Sequence, residues 1–194
     1  MRELLDLKKK YTFYNKYHNN VCNKLIHYLC IPILVFTLFI LLNYIPYYYK
    51  IDYLENYTIK DVTYNLINSN TTLDHIFIIN TSSCIYVLYM IYYLILNILT
   101  GIISIPIYGI ILITSNYLVY NYYNRSWVGA LFFQCISWLL QFMGHYYFEN
   151  NRPALCDSLV KSILIAPFFV IFDLLHICGY KKNYFKNELL KELL

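Results

Sequence analysis

LIHYLCIPILVFTLFILLNYI, residues 25–45, decides the class of fold. No Asp, Glu, Lys or Arg stands between Lys24 and Lys50. A hydrocarbon layer about 30 Å thick is crossed by about 20 apolar residues in a helix. The stretch has that length, and a helix satisfies all its backbone groups internally. Outward from it the pattern repeats. Residues 76–124 are a second uncharged run of 49 residues, enough for two spans with a tight turn near residues 97–101. Residues 126–143 read as a fourth span. Residues 159–178 are a fifth apolar segment, broken by Pro167 and carrying Lys161 and Asp173. The segments show no internal repeat.

Composition agrees. The 194 residues are 59% hydrophobic and 13% charged, with a mean hydropathy of +0.45, whereas soluble domains carry about 25% charged residues. The expected fold is all-α: a polytopic membrane helix bundle forming one integral domain over residues 1–194, with residues 50–75 as an exposed, expanded loop. Tyr occurs 24 times, and Asn and Ile are also frequent. AT-rich coding DNA produces the same bias, so single Tyr and Asn residues weigh little as signals. The six cysteines, at 22, 30, 84, 135, 156 and 178, form no CxxC and no paired spacing. They are expected to be small buried hydrophobes, with no disulfide or zinc site among them.

Charge gives the orientation. Arg2, Lys8, Lys9, Lys10, Lys16 and Lys24 precede the first span, and Lys181, Lys182, Lys186 and Lys191 follow the last apolar segment. The positive-inside rule puts both termini in the cytosol and the 50–75 loop outside. Four spans satisfy this, so the fifth segment is expected to be re-entrant or interfacial. The net charge of +4 is thereby spent on orientation, and no nucleic-acid partner is expected. MRELLDLKKK is followed by no short apolar core or small-residue cleavage site, so the first span is expected to be its own targeting signal.

One stretch does not fit an apolar chain. QFMGHYYFENNRPALCD, residues 141–157, places Gln141, His145, Glu149 and Arg152 together after 15 uncharged residues of the fourth span. At about 100° per residue, Gln134, Gln141 and His145 fall within about 20–40° of one another, and Glu149 continues that face. A polar stripe in a span faces the bundle interior. Interhelical hydrogen bonding by the glutamines is the plainer account; a site is the sharper one. The second constellation is YNKYHNNVCNKLIHYLCIP, residues 14–32. His18 and His27 are nine residues apart and would lie about 180° apart on one straight helix. They reach a common point only if the chain bends, and Asn19, Asn20 and Asn23 offer a break with a helix starting near Asn20 or Asn23. The four-span topology puts both constellations at the cytosolic face. Three imidazoles and a carboxylate at one depth are a fair donor set for iron, zinc or manganese, and as spacing alone a weak metal signal. His75 is expected in the outer loop, and His176 to reach for the interface. Arg152 is either an interface anchor or a group for a carboxylate or lipid phosphate.

These two blocks resemble the membrane-bound 2-hydroxy fatty acid dioxygenases, whose founding fungal member acts in α-oxidation at the endoplasmic reticulum. His18, Asn20, Asn23 and His27 match the N-terminal pattern. Trp138, Gln141, Gly144, His145, Glu149, Arg152, Pro153 and Asp157 match the more specific C-terminal core, and Ala166-Pro167 follows it. Val21 stands where members commonly have Pro, Cys30 where many have Gly, and Asp173 where Glu is usual. The resemblance implies an Fe(2+) dioxygenase converting a long-chain 2-hydroxy fatty acid and dioxygen to the acid one carbon shorter. It implies an endoplasmic-reticulum membrane location among lipid. His18, His27 and His145 are then the ligands, and Glu149 is a fourth ligand or a partner that orients an imidazole. Asn20, Asn23 and Gln141 support them, and Arg152 is a candidate for the substrate carboxylate. A membrane di-iron desaturase needs about eight histidines in boxes, and this chain has five and no HxxHH. The remaining alternative is a non-catalytic lipid-binding or membrane-organising protein of the same fold.

Overall fold

The computed structural model describes residues 6–45, 80–150 and 159–180, with side chains from 163 onward in the last segment. The 50–75 loop, His75, Arg152, Asp157, Cys156 and the basic tail fall outside the described residues. Those described form helices and no strand: α1 (Leu7–Tyr17), α2 (Val21–Leu42), α3 (Thr81–Leu96), α4 (Ile98–Gly144) and α5 (Leu159–Ile177). A single π-helical turn, His145–Glu149, prolongs α4.

Helix starts follow from short polar side chains. Asp6, Asn20, Asn80 and Asn97 cap α1 to α4, each accepting a backbone N–H from the first turn. This satisfies one of the amides that a helix start leaves bare. Three of the discounted asparagines therefore set helix boundaries. The cap at Asn20 is the expected break between His18 and His27.

Two helices, Val21–Leu42 and Ile98–Glu149, are long and apolar enough to cross a membrane by length and composition; α3 and the described part of α5 are shorter apolar helices. The turn between α3 and α4 is tighter than a loop, because only Asn97 separates them. A Cβ on Gly101 would stand 2.7 Å from the Leu94 backbone, so glycine is what lets α4 fold back on α3 this closely. Between the expected third and fourth spans there is no loop. Helix continues through Arg125, and the break is a kink at Tyr122 (φ −132°, ψ 39°). Uninterrupted, 47 residues would extend about 70 Å, more than twice a hydrocarbon layer.

α2 lies along much of α4, with Thr37 hydrogen-bonded to Gln134 across the pair. At the far end of α2, Asn43, Asn80 and Asn116 knot α2, α3 and α4 together: the Asn43 and Asn80 amides donate to Asn116 Oδ1 at 3.1 and 3.2 Å. α5 runs through Pro167 as one helix. The Tyr93 and Tyr108 hydroxyls donate to the Leu164 and Pro167 carbonyls beside the proline. Residues 168–172 are buried at every position, so this segment is the centre of the core, packed against Tyr11, Tyr93 and Tyr108. Of the five described cysteines only Cys30 is buried, and Cys22, Cys135 and Cys178 lie on the outer surface.

Candidate metal centre

The bend at 18–20 does what one straight helix could not. α1 ends at Tyr17 and α2 restarts at Val21, bringing His18 and His27 into edge contact, ring centres 4.5 Å apart. The end of α4 supplies His145, whose ring centre is 4.8 Å from that of His18 and 5.0 Å from that of His27. All three are buried, and each offers a nitrogen within 4.8 Å of the others.

Two of the rings are oriented by backbone. His18 Nδ1 donates to the Tyr14 carbonyl at 3.0 Å and His27 Nδ1 to the Asn23 carbonyl at 2.9 Å, each one turn earlier in the chain. A neutral imidazole protonated at Nδ1 leaves Nε2 as a bare electron pair. Burial, with His27 beside it, holds the His18 imidazole well below the ordinary histidine range, so it stays neutral. His145 Nδ1 is buried without a hydrogen-bond partner. An unpaired buried nitrogen is costly, and a cation shared with the other two rings would satisfy it. Three converging imidazoles with a fixed tautomer in two of them fit a first-row divalent ion.

Glu149 does not join the ring cluster. Its Oε1 accepts from the backbone N–H groups of Asn19 and Asn20, both at 2.9 Å, and from Asn23 Nδ2 at 3.0 Å. The end of α4 therefore grips the turn that carries His18 and opens α2. Asn20 Oδ1 is the α2 cap, accepting from Cys22 N at 2.8 Å. Asn23 is fully buried, with its amide on Glu149 and its carbonyl on His27. Gln141 is buried one turn before His145, and its amide donates to its own helix at Ser137, 3.4 Å away. Gly144 has a steric reason: a Cβ there would meet Asn23 Oδ1 at 2.7 Å. His176 contacts Tyr11 and the Tyr180 carbonyl, away from the three rings.

Spacing did not find a second layer. Asp173 is 2% exposed, and its Oδ2 accepts from Tyr28 Oη at 2.6 Å and Tyr14 Oη at 3.1 Å and pairs with Lys24 Nζ at 3.1 Å. The Tyr14 ring stacks on His18, centres 4.4 Å apart and 13° from parallel. Burial, then the Asp173 charge, raises the Tyr14 phenol well above its ordinary range, which keeps it a donor. An acid alone in an apolar segment was the available signal, since such a group takes a partner.

The profile of a family described as Mpo1-like, 2-hydroxy-palmitic acid dioxygenase Mpo1-like, matches residues 4–177. The 2-hydroxy-palmitic acid dioxygenase MPO1 of Saccharomyces cerevisiae is 29% identical over 178 residues, 91% of this chain and 84% of that protein. No solved structure matches the chain. The match spans all three histidines, Glu149 and Asp173, and the chain belongs to the Mpo1-like family.

Proposed function

We propose that this chain is a non-haem iron(II) dioxygenase converting a long-chain 2-hydroxy fatty acid to the acid one carbon shorter. The observation that carries the reading is the buried triad of His18, His27 and His145 in a chain whose relative is named a 2-hydroxy-palmitic acid dioxygenase. The overall reaction balances with one dioxygen: the 2-hydroxy acid gives the shorter acid, carbon dioxide and water. No external reductant is needed.

In this reading the three imidazoles hold the metal. Iron(II), when bound, supplies the one-electron chemistry that dioxygen requires. The Tyr14 and Asn23 carbonyls keep protons on Nδ1 of His18 and His27, so that Nε2 of each stays basic toward a cation. Glu149 fixes the distance between the α4 end and the α1–α2 turn. Burial of the three rings excludes bulk water. Arg152, three residues beyond Glu149, is the candidate for the substrate carboxylate.

The membrane placement belongs to the same proposal. α2, α3 and the two halves of α4 about Tyr122 are four spans of an endoplasmic-reticulum protein, with both termini cytosolic. The triad then lies at the cytosolic end of α2, where an acyl chain stays among helices while its polar head meets the site.

The test is an aerobic assay on membranes containing the chain, supplied with iron(II) and a long-chain 2-hydroxy acid. Mass analysis should find the acid one carbon shorter with the intact chain and not with His145→Ala. If neither makes it while the Saccharomyces relative does in parallel, the dioxygenase proposal is lost, and a lipid-binding protein of the same fold takes its place.

A further inference from the structure

One carboxylate oxygen reaches both histidine-bearing segments at the N-terminal end. Asp173 Oδ2, on α5, takes the Tyr14 hydroxyl from α1 and the Tyr28 hydroxyl and Lys24 ammonium from α2. Tyr14 is one turn before His18; Lys24 and Tyr28 flank His27 on α2. Tyr14 holds His18 twice, through its carbonyl at 3.0 Å and through a face-to-face ring contact. The other face of Tyr14 is closed by Phe169 of α5, ring centres 4.6 Å apart and 20° from parallel. With both faces packed and its hydroxyl bonded, the Tyr14 ring cannot turn without moving His18.

Asp173 also answers a charge. Lys24 Nζ sits 5.6 Å from the centre of the Tyr14 ring, the ring that stacks on His18. An uncompensated ammonium there would repel any cation held by the three imidazoles. The Asp173 carboxylate, 3.1 Å away and buried, cancels it.

We propose that Asp173 and Tyr14 are positioning residues of the metal centre: the carboxylate clamps α1 to α2 so that His18 and His27 present their nitrogens to one ion. This rests on the metal-centre reading above. It assigns no contact between Asp173 and the ion or the substrate. Its effect is on how tightly the ion is held, so it is measurable without turnover.

The experiment is titration of the purified full chain in detergent with cobalt(II), read by the visible absorption of the bound ion. Melting temperature is recorded alongside. Tyr14→Phe, which keeps the ring and loses only the hydroxyl, and Asp173→Asn are each expected to weaken cobalt binding about 10- to 100-fold. Asp173→Glu should recover most of that loss. Tyr93→Phe removes a hydroxyl-to-carbonyl bond of the same kind from the same core and should lower the melting temperature without changing cobalt affinity. Wild-type affinity in Tyr14→Phe and Asp173→Asn overturns the inference alone. So does an equal loss in Tyr93→Phe, because the effect would then be general softening. A wild-type chain that takes up neither cobalt nor iron(II) overturns both this inference and the metal-centre reading.

Discussion

Glu149 Oε1 lies 2.9 Å from the backbone nitrogen of Asn20, the residue on which α2 starts. The two are 129 positions apart. The end of one helix thus supplies the anion at the start of another, where bare amides and the helix dipole favour negative charge. Asn20 caps α2 from within the turn, and Glu149 caps the same turn from across the bundle. The contact sets how far His145, at the head of the π turn, stands from His18.

Removing this contact should loosen the site without removing a ligand. A hydrogen bond to a charged group contributes about 1.5–3 kcal/mol, and Glu149→Ala, which removes three, should lower stability by at least about that much. Iron affinity should fall with it, and saturating iron(II) should restore most of the activity. His145→Ala, which deletes a donor nitrogen, should not recover at any iron concentration. Activity measured against iron(II) concentration separates the two. If Glu149→Ala stays inactive at saturating iron, Glu149 contacts the ion or the substrate, and its role as a clamp alone is wrong.

Gly144→Ala makes a steric prediction. The new Cβ would stand 2.7 Å from Asn23 Oδ1 and 3.2 Å from Ile26 Cδ1. Asn23 cannot swing aside freely, since its amide holds Glu149. Overpacking of this kind costs about 1–3 kcal/mol. Thermal unfolding in detergent should register that loss, and cobalt affinity should drop as the α4 end is pushed off α2. A variant that melts and binds like the parent would show that this end of α4 is not tightly seated.

Much of this centre was legible in the chain. The nine-residue gap between His18 and His27 demanded a bend, and three asparagines marked where it falls. Periodicity placed Gln134, Gln141 and His145 on one face. Other contacts left no local trace. Glu149 read equally as ligand or support, because spacing gives the face of a side chain and not which partner arrives there. Tyr14 and Tyr28 were lost among 24 tyrosines, and the bonds tying them to Asp173 span 159 and 145 positions. α4 hid its continuity because Arg125 looks like the edge of a span. A single charge at a helix kink and a single charge in a loop are identical in sequence. The fifth segment was expected to be re-entrant or interfacial on account of its proline and charges; what those residues do inside the protein left no trace, for Asp173 is paired in the core and tyrosine hydroxyls serve the carbonyls around Pro167.

The metal-free protein should become less stable below neutral pH. The His18 imidazole, when buried in the fold, has its proton affinity lowered from an ordinary value of 6.5. Below that pH the unfolded chain binds a proton that the folded site refuses. Stability is therefore full above about pH 6.5 and declines as pH falls toward the folded value, by up to about 1.4 kcal/mol per pH unit for one such group. Melting curves of metal-free protein between about pH 7.5 and pH 5.5 should show the decline, and His18→Gln should make it shallower. A melting temperature that is level across this range in the parent would mean that His18 is not held neutral in the fold.

The membrane orientation can be read from sugar attachment. Asn56-Tyr57-Thr58 and Asn70-Thr71-Thr72 are acceptor sequences in the polar stretch after α2. If the N-terminus is cytosolic and α2 crosses the bilayer, both face the lumen when the chain is made at the endoplasmic reticulum. Two further acceptor sequences, Asn80-Thr81-Ser82 and Asn124-Arg125-Ser126, lie at the cap of α3 and inside α4 beside its kink, too close to helix for efficient transfer. Expression in a eukaryotic host should therefore give a form heavier by one or two glycans. Asn56→Gln and Asn70→Gln together should remove the added mass, and an epitope tag at either terminus should be open to protease from the cytosolic side. Tags protected from protease together with an unglycosylated loop would invert the proposed orientation. The triad would then sit at the lumenal face, and a cytosolic supply of iron(II) and substrate to it would have to be abandoned.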